Sequence, residues 1–260
     1  MILSIITINY NNIIGLKKTI DSVITQTSND FEWIIIDGGS TDGSKKLIDD
    51  YSGFISYSVS EPDNGIYNAM NKGIYASHGK YILFLNSGDS LFERDTIKKV
   101  LPYLTDQDIY VGRILSEGKT NESFDEQSDY SPMGILNKLT FTWIPHQASF
   151  FKRTIFDEYG FYREDIKIVS DWWFYFYSLV LGKASIISIP HTIAIYDTTG
   201  VSTNRFTALD EQEKLLQEYP SIKTYYHFYK NNKEIIQVLK QNKLIFLLFR
   251  IYFFLYRKFH

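Results

Sequence analysis

The segment YILFLNSGD, residues 81–89, decides the fold, because its apolar run stops abruptly at a small polar turn. Apolar runs of this length that are bounded by glycine and serine are typical of strands covered on both faces of a sheet. In open α/β sheets, ligands bind just beyond the carboxyl ends of such strands. The segment therefore predicts a buried strand that delivers the carboxylate of Asp89 to the rim of a crevice.

Strands and helical patterns alternate through the first hundred residues. Four apolar strands are predicted, each followed by a polar turn, at 2–8, 31–36, 55–59 and 81–89. Repeated βα units predict an α/β fold with a mostly parallel sheet and helices on both of its faces. The polar side chains that follow the four strands, and are expected to share one crevice, are those of Asn9, Asp37, Asp63 and Asp89.

The composition limits the kind of molecule and its partners. Of 260 residues, 44% are hydrophobic, which is ample for one large domain or for one domain with an appendage. A formal net charge of -3 offers no field for nucleic acid, so nucleic acid is not an expected partner. With no cysteine, a metal would need oxygen or histidine ligands, and a reducing compartment fits. No signal-peptide pattern precedes the first strand, so export is not expected.

The C-terminal segment 244–259 is apolar or aromatic except for Arg250, Arg257 and Lys258. Its uninterrupted apolar run is far shorter than the roughly 20 residues that a spanning helix needs. Apolar residues on nearly every face with cations at intervals favour a helix that lies in a membrane interface. The alternatives are a terminal helix docked on its own domain or on a dimer partner, so a homodimer stays open.

Two common phosphate-binding loops are missing from the sequence. The first βα turn, residues 8–12, has no glycine-rich phosphate loop, and no glycine-rich loop ends in Lys-Ser or Lys-Thr. A bound diphosphate would then be neutralised most simply by a divalent cation, and an oxygen-rich site with few carboxylates suits Mg²⁺ or Mn²⁺. Asp89 is positioned to hold that ion.

Several motifs occur in an order that is typical of one enzyme family. They are SIITINYN at 4–11, IDGGSTDGS at 36–44, EPDNGIYNAMNKG at 61–73, FLNSGD at 84–89, HQ at 146–147 and SD at 170–171. The chain resembles the bacterial family 2 glycosyltransferases of the GT-A fold, close to the branch that builds exopolysaccharide and O-antigen repeat units. The resemblance implies a GT-A domain at 1–205. Residues 206–260 lie outside it and are expected to form a helical C-terminal extension, for which the composition of the segment 244–259 favours membrane contact.

The resemblance also implies an activity. It predicts a metal-dependent, inverting transfer of a sugar from a nucleotide-diphosphate sugar to a glycan or lipid-linked acceptor in cell-surface polysaccharide synthesis. Mn²⁺ or Mg²⁺ would be the cofactor. Together with the C-terminal segment, it predicts a cytoplasmic enzyme that is peripheral on the inner face of the cell membrane.

Individual residues acquire roles from the same resemblance. Asp171 matches the catalytic base, and Asp89 matches the final acid of the family's Asp-x-Asp metal motif, whose first acid is replaced here. The expected donor-binding residues are Thr7, Asn9, Tyr10, Asp37, Asp63, Lys72, Asn86 and Ser87. The expected acceptor-binding residues are His146, Trp172 and Trp173, since aromatic faces stack on sugar rings.

Two other classes of function stay open on the sequence. A nucleotidyltransferase or another nucleotide-sugar enzyme would share the strand-end acids, and a non-catalytic glycan-binding module would bind sugar without metal or nucleotide. Asp37 and Asp63 could cap turns, and Asp171 could cap a helix. Asp89 could be a plain turn residue and His146 a packed one. The coincidence of Asp37, Asp89 and Asp171 argues against the binding module.

Overall fold

The computed structural model describes residues 1–116, 119–121, 128–198 and 205–231, together with residue 251. Most of the C-terminal segment 244–259, for which the sequence predicts membrane contact, therefore lies outside the described residues. Among the helices that the structure describes, none combines the length and the apolar character that crossing a bilayer would take.

Strands and helices alternate in the first hundred residues, as the sequence pattern predicts. The strands are β1 (Leu3–Asn9), β2 (Phe31–Asp37), β3 (Tyr57–Ser60), β4 (Tyr81–Phe84), β5 (Ser90–Leu91), β6 (Ile109–Ser116), β7 (Lys119–Asn121), β8 (Ser149–Lys152) and β9 (Ile186–Ile195). The helices are α1 (Ile13–Ile24), α2 (Ser44–Asp50), α3 (Ile66–Ala76), α4 (Thr96–Val100), α5 (Pro132–Phe141), α6 (Thr154–Tyr159), α7 (Ser170–Tyr175), α8 (Arg205–Gln217) and α9 (Pro220–Asn231). A π-helical turn, Phe176–Leu181, continues α7.

The strands form one sheet in the order β3-β2-β1-β4-β8-β6-β9-β5, with β7 paired to β6. The first four strands in this order are parallel, because the helix of each βα unit carries the chain back to the end of the sheet at which the previous strand began. Beyond β4 the sheet is mixed: β8 is antiparallel to both of its neighbours, and β6 is parallel to β9. The predicted α/β class is confirmed, and its parallel part is the N-terminal half.

Both faces of the N-terminal half are covered. Along β1, Ile6 and Ile8 point to one face and Leu3 and Ile5 to the other, which is the alternation of a pleated strand. All seven residues of β1 are buried. A strand covered on both faces has no polar face along its length, so its polar groups accumulate where it ends.

The register brings those strand ends to one level. Asn9, the last residue of β1, pairs with Asp37, the last residue of β2, and Asp37 pairs with Ser60, the last residue of β3. The turn after β4 begins beside β1, where the N–H of Ser87 donates to the carbonyl of Ile8 at 3.0 Å. Polar residues from four strand ends therefore meet along one edge of the sheet.

The helices α8 and α9 pack against the same domain. Leu215 and Leu216 of α8 and Tyr226 of α9 are buried in one apolar cluster with Trp172 and Trp173 of α7. The ring centroids of Tyr226 and Trp172 lie 6.0 Å apart. The described part of the region beyond residue 205 is thus continuous with the core, while the predicted division at that residue stays a prediction.

Candidate active site

A cleft of about 820 Å³ opens at the carboxyl ends of β1 to β4. Its polar lining includes Asn9, Tyr10, Asn12, Asp63, Tyr67, Asn86, Ser87, Asp89, His146, Gln147, Lys167, Asp171, Tyr196 and Asp197. Of the residues predicted from the sequence, the structure brings eight together here, namely Asn9, Tyr10, Asp63, Asn86, Ser87, Asp89, His146 and Asp171. The predicted meeting of strand ends therefore produces one cleft.

Glycine at position 38 allows two of these residues to approach the floor of the cleft. A Cβ atom on Gly38 would lie 2.5 Å from Oδ2 of Asp63 and 3.2 Å from the ring of Tyr10. A side chain at this position would displace both, so the absence of one brings the Asp63 carboxylate against the end of β2. The ring of Tyr10 is 67% exposed and stands at the entrance.

Asp37 lies beneath the cleft and does not line it. Its carboxylate is fully buried and accepts hydrogen bonds from Asn9 Nδ2 at 2.7 Å, Ser40 Oγ at 2.6 Å, Ser40 N at 3.0 Å and Ser60 Oγ at 2.6 Å. Burial alone would raise the pKa of Asp37, but the bonds from Ser40, Ser60 and Asn9 outweigh it and lower that pKa. The ionised carboxylate therefore orients Asn9.

Two other predicted donor-binding residues lie away from the cleft. Thr7 is buried within β1, and its hydroxyl accepts a hydrogen bond from Trp33 Nε1 at 3.1 Å. Lys72 forms an ion pair with Glu61 at 2.6 Å and lines a separate pocket of about 500 Å³. Thr7 lies on the same face of β1 as Asn9 but two residues before the end of the strand, where the sheet is still covered. Lys72 projects from a different face of α3 than Tyr67 and Met70, which line the cleft.

Trp172 and Trp173, the predicted acceptor platform, belong to the core. Trp172 Nε1 donates to the carbonyl of Leu139 at 3.0 Å, and both indole rings stack on Phe176. Each residue is 7% exposed. The structure therefore gives these two tryptophans a packing role and leaves no open ring face of theirs in the cleft.

The turn that follows β4 is held from below by α1. The Thr19 hydroxyl donates to the Asp89 carbonyl at 2.6 Å and accepts from the Gly88 N–H at 3.1 Å. Gly88 has a φ of 105°, a left-handed conformation that favours glycine. A Cβ atom on Gly88 would also lie 2.5 Å from Oδ2 of Asp197, so this glycine admits a second carboxylate to the turn.

Asp89 is 3% exposed and is paired with the loop that follows β9. Its Oδ1 accepts the backbone N–H of Asp197 at 2.9 Å. Burial raises the pKa of Asp89 to about 6, and the negative charge of Asp197 adds to the rise. Two carboxylates that oppose each other's ionisation form a site that a cation would stabilise. Asp197 was missed at the sequence level, although it follows a strand end as the other acids do.

Three buried amide oxygens at the cleft, Asn9 Oδ1, Asn86 Oδ1 and Gln147 Oε1, have no hydrogen-bond partner in the part of the chain that the structure describes. Buried polar atoms without a partner are rare and call for an explanation. Within the described part of the chain, no three His, Asp or Glu side chains lie close enough together to hold a metal ion. An ion here would therefore depend on Asp89, Asp197 and neutral oxygens.

Asp171 lies in the first turn of helix α7, across the cleft from Asp89 and the turn that follows β4. Its Oδ2 accepts from His146 Nδ1 at 3.1 Å, and its Oδ1 lies 2.9 Å from both the Tyr67 hydroxyl and the Trp172 N–H. Burial raises the pKa of Asp171, but these hydrogen bonds, led by that of His146, lower it overall. The site therefore holds an ionised carboxylate with fixed orientation.

His146 and Tyr67 connect this carboxylate to the rest of the cleft. His146 Nε2 lies 3.3 Å from Asn86 Nδ2, so the imidazole bridges Asp171 and the turn after β4. Tyr67 comes from α3 and lies inside the motif at 61–73, but the sequence alone gives it no role. Its contact with Asp171 joins residues 104 positions apart, and helical periodicity does not reveal such a pair.

An aromatic pair marks the outer rim. Trp143 is 46% exposed, and its ring centroid lies 5.7 Å from that of Tyr196, which lines the cleft. Neither residue was singled out from the sequence. The sequence offered one clue to this pair, namely a tryptophan three residues before His146. Only the fold shows that Trp143 is open to solvent.

The protein is thus of the class of α/β proteins that have a cleft of ligand-binding size at their strand ends, here with an ionised acid facing an oxygen-rich turn. Comparison with known proteins narrows this class. The chain belongs to glycosyl transferase family 2, whose family model matches residues 4–164. The resemblance found in the sequence motifs is thereby confirmed, and the exopolysaccharide and O-antigen branch stays a prediction.

Two mycobacterial relatives illustrate the similarity. A PGL/p-HBAD biosynthesis glycosyltransferase of Mycobacterium tuberculosis strain H37Rv is 31% identical over 164 residues, which cover 60% of this chain and 61% of that relative. An uncharacterized glycosyltransferase of the same strain is also 31% identical, over 229 residues that cover 84% of this chain and 85% of the relative. The first similarity thus spans about three fifths of that relative's length.

Solved structures share the fold at low sequence identity. S. aureus TarS 1-349 in complex with UDP-GlcNAc has a TM-score of 0.63 at 16% identity, covering 79% of this chain and 61% of that chain. The mannosyltransferase PcManGT from Pyrobaculum calidifontis, in complex with GDP-Man and Mn²⁺, has a TM-score of 0.61 at 16% identity, covering 88% and 68%. These likenesses confirm the predicted GT-A fold.

The hydrogen bonds of Asp37 predict how stability depends on pH. Asp37→Asn should lower the free energy of unfolding at pH 7 by about 2–3 kcal/mol, because an amide donates where the carboxylate accepts. The pKa of Asp37 is lowered in the folded protein, so this contribution is present above the unfolded-state pKa of about 3.9 and is lost as the pH falls through the folded-state pKa. The difference between the two proteins should therefore shrink in acid.

Urea unfolding at pH 7, 5 and 3.5 measures this difference. Asp49→Asn is a suitable control, since Asp49 is exposed on α2. A difference that grew as the pH fell would contradict the assignment.

Proposed function

We propose that the protein is an inverting glycosyltransferase that moves a sugar from a nucleotide-diphosphate sugar to a glycan acceptor in cell-surface polysaccharide synthesis. The observation that carries the proposal is that an ionised Asp171 faces the turn of Asp89 across one cleft of a family 2 fold. Structural neighbours in complex with UDP-GlcNAc and GDP-Man support a nucleotide-sugar donor. The relative that is named for PGL/p-HBAD biosynthesis supports a glycan product.

The donor's nucleotide would occupy the half of the cleft formed by β1, β2 and β3. Asn9, Tyr10 and Asp63 line this half, and Asp37 contributes indirectly by orienting Asn9. Among the described residues, Oδ1 of Asn9 has no hydrogen-bond partner, which supports a contact between this amide and the nucleotide. Asn86 and Ser87 would then lie beside the diphosphate, because they belong to the turn of Asp89.

The donor set near Asp89 fits a divalent cation. Asp89 and Asp197 would supply carboxylate oxygens, and Asn86 and Gln147 would add amide oxygens that have no partner within the described residues. Hard oxygen ligands of this kind suit Mn²⁺ or Mg²⁺. We propose that Asp89 and Asp197 hold the ion. When bound, it would stabilise the negative charge that develops on the leaving diphosphate.

Asp171 would act as the base. As the acceptor oxygen forms its bond to the anomeric carbon, the bond from that carbon to the diphosphate oxygen breaks, and the acceptor's hydroxyl proton moves to Asp171. A single displacement inverts the anomeric centre and requires only one base. The lowered pKa of Asp171 keeps it able to accept a proton at neutral pH, and the hydrogen bonds from His146 and Tyr67 fix its direction.

Replacement of the base gives the direct test. Asp171→Asn should lower the transfer rate by about 10³-fold, because the amide cannot take the proton, while donor affinity changes little. A panel of UDP-, GDP- and dTDP-sugars, followed by release of the nucleoside diphosphate and glycosylation of acceptors, measures both quantities.

Asp157→Asn is the matched control, since Asp157 is an exposed acid on α6. Retained turnover in Asp171→Asn would refute the role of this residue. Release of pyrophosphate from a nucleoside triphosphate by the wild-type protein would favour a nucleotidyltransferase, and metal-independent glycan binding without turnover would favour a binding module.

The ion site predicts metal-dependent nucleotide binding. Mn²⁺ should raise the affinity for UDP or GDP in the wild-type protein, and Asp89→Asn and Asp197→Asn should each reduce that gain at least about tenfold. Isothermal titration with and without Mn²⁺ measures the effect. Asp21→Asn on α1, which removes an exposed partner of Lys17, should behave as wild type. An unchanged gain in either cleft variant would exclude that residue as a ligand.

The acceptor would enter past the rim formed by Trp143 and Tyr196. An exposed indole beside a tyrosine offers an apolar face for a sugar ring, and Tyr196 lines the same cleft as Asp171. We assign acceptor stacking to these two residues, since Trp172 and Trp173 are committed to the core. His146 would contact the acceptor beside Asp171.

Trp143→Ala tests this assignment through the Michaelis constant of the acceptor. That constant should rise about 3- to 10-fold while the donor constant stays unchanged, because stacking of aromatic rings contributes about 0.5–1.5 kcal/mol. Trp143→Phe should recover most of the loss. Phe54→Ala removes another exposed ring, one that is 62% exposed, and should have no effect. A rise in the donor constant instead would place Trp143 at the nucleotide.

The C-terminal segment supports a further part of the proposal. Its apolar and aromatic residues with interspersed Arg250, Arg257 and Lys258 favour contact with an anionic membrane surface. We propose a lipid-linked acceptor on the cytoplasmic face of the membrane, where such a segment would hold the enzyme beside its substrate.

A further inference from the structure

Glu211 of α8 is buried beneath the loop that leads to Asp171. Its carboxylate accepts three consecutive backbone N–H groups: Oε1 accepts from Lys167 at 2.9 Å, and Oε2 accepts from Ile168 at 2.9 Å and from Val169 at 3.3 Å. The residue is 8% exposed. One side chain thus satisfies every backbone donor of the loop from 167 to 169.

This loop carries the groups that orient Asp171. The carbonyl of Ile168 lies 2.5 Å from the Tyr67 hydroxyl, which is also 2.9 Å from Asp171 Oδ1. A hydroxyl has one proton, so Tyr67 shares it between the loop and the carboxylate. The carbonyl of Val169 accepts from the N–H of Trp173 at 2.9 Å and so starts α7, which bears Asp171. Movement of the loop would therefore change both the position and the hydrogen bonding of Asp171.

In the part of the chain that the structure describes, this loop connects Glu211 to the cleft. Lys167 and Ile168 line the cleft, whereas Glu211 does not. The neighbouring segment is anchored separately, since Ser170 Oγ accepts from the N–H of Arg163 at 2.6 Å. The three bonds to Glu211 therefore tie α8 to the backbone of the loop, beside the apolar packing of Leu215 and Leu216.

We propose that Glu211 is a positioning residue of the active site, which holds the loop at 167–169 and thereby Asp171 in place for proton transfer. The proposal rests on the glycosyltransferase function proposed above. Glu211 lies beyond residue 164, where the family match ends. The proposal therefore makes helix α8, which lies outside the matched residues, a part of the catalytic unit.

Two substitutions of Glu211 should disturb the loop to different degrees. Glu211→Gln keeps the shape but turns an N–H group toward at least one donor, whereas Glu211→Ala leaves all three donors without an acceptor. Because a misplacement of about 1 Å can cost about 100-fold in rate, kcat should fall about 10-fold in Glu211→Gln and about 100-fold in Glu211→Ala. The donor KM should stay within about threefold, since the hydrogen bonds described for Asn9 and Asp63 go to Asp37, Ser40 and Gly65 and not to the loop.

Asp210→Asn is the matched control. It removes one negative charge from the adjacent, exposed position of the same helix and should leave kcat at the wild-type value. Hydrogen exchange at the amides of residues 167–169 gives a readout that does not depend on activity. These amides should exchange faster in both Glu211 variants than in Asp210→Asn, and the melting temperature of Glu211→Gln should fall less than that of Glu211→Ala.

Each result decides between the proposals. If the wild-type protein transfers no sugar from any donor tested, the proposed function fails, whatever the exchange shows. If the wild type is active and Glu211→Gln keeps its kcat and its slow exchange, the positioning role is overturned. Equal losses in kcat and donor affinity, or the same loss in Asp210→Asn, would also overturn it. If Glu211→Ala does not fold, Glu211→Gln alone decides.

Discussion

The buried carboxylate of Asp37 is the interaction on which the cleft depends. It accepts hydrogen bonds from Asn9 at the end of β1, from Ser60 at the end of β3 and from Ser40 in its own turn. A charge removed from water is costly unless such donors surround it. Because the donors come from adjacent strand ends, the bonds that stabilise the charge also hold three strands at one level and form the floor of the site.

One half of the cleft is formed by segments that are close together in the sequence, and the other half by segments that are far apart in it. Its nucleotide side is formed by consecutive βα units, in which each strand end follows from the preceding crossover. Its reactive side is assembled from residues beyond 140, and hydrogen bonds join it to the first half: His146 approaches Asn86, and the N–H of Asp197 donates to Asp89. Donor binding and proton transfer would therefore be coupled through contacts that lie on the cleft wall itself.

Residue type could be predicted from the sequence more reliably than residue orientation. Six of the eight expected site residues that reach the cleft follow the ends of β1, β3 and β4, because strand ends in a parallel sheet meet at one edge. The other two, His146 and Asp171, were expected from family motifs and not from strand ends. Thr7 and Lys72 occur in the right motifs but project elsewhere, the first into the core against Trp33 and the second toward Glu61. Similarly, a sugar-binding role suits any tryptophan, but burial decides which one is open, and that is Trp143.

By itself, the sequence determined the α/β class, the family and the strand-end acids, since these follow from short-range apolar periodicity and from motifs that are contiguous in the chain. The tertiary structure alone decided that Asp197 joins Asp89, that Tyr67 and His146 hold Asp171, and that Glu211 supports the loop beside it. These contacts join residues from 25 to 108 positions apart, and the three bonds of Glu211 span 42 to 44 positions. Such pairs leave no periodic trace in the chain, because they depend on how the helices and strands pack and not on the sequence that forms each one.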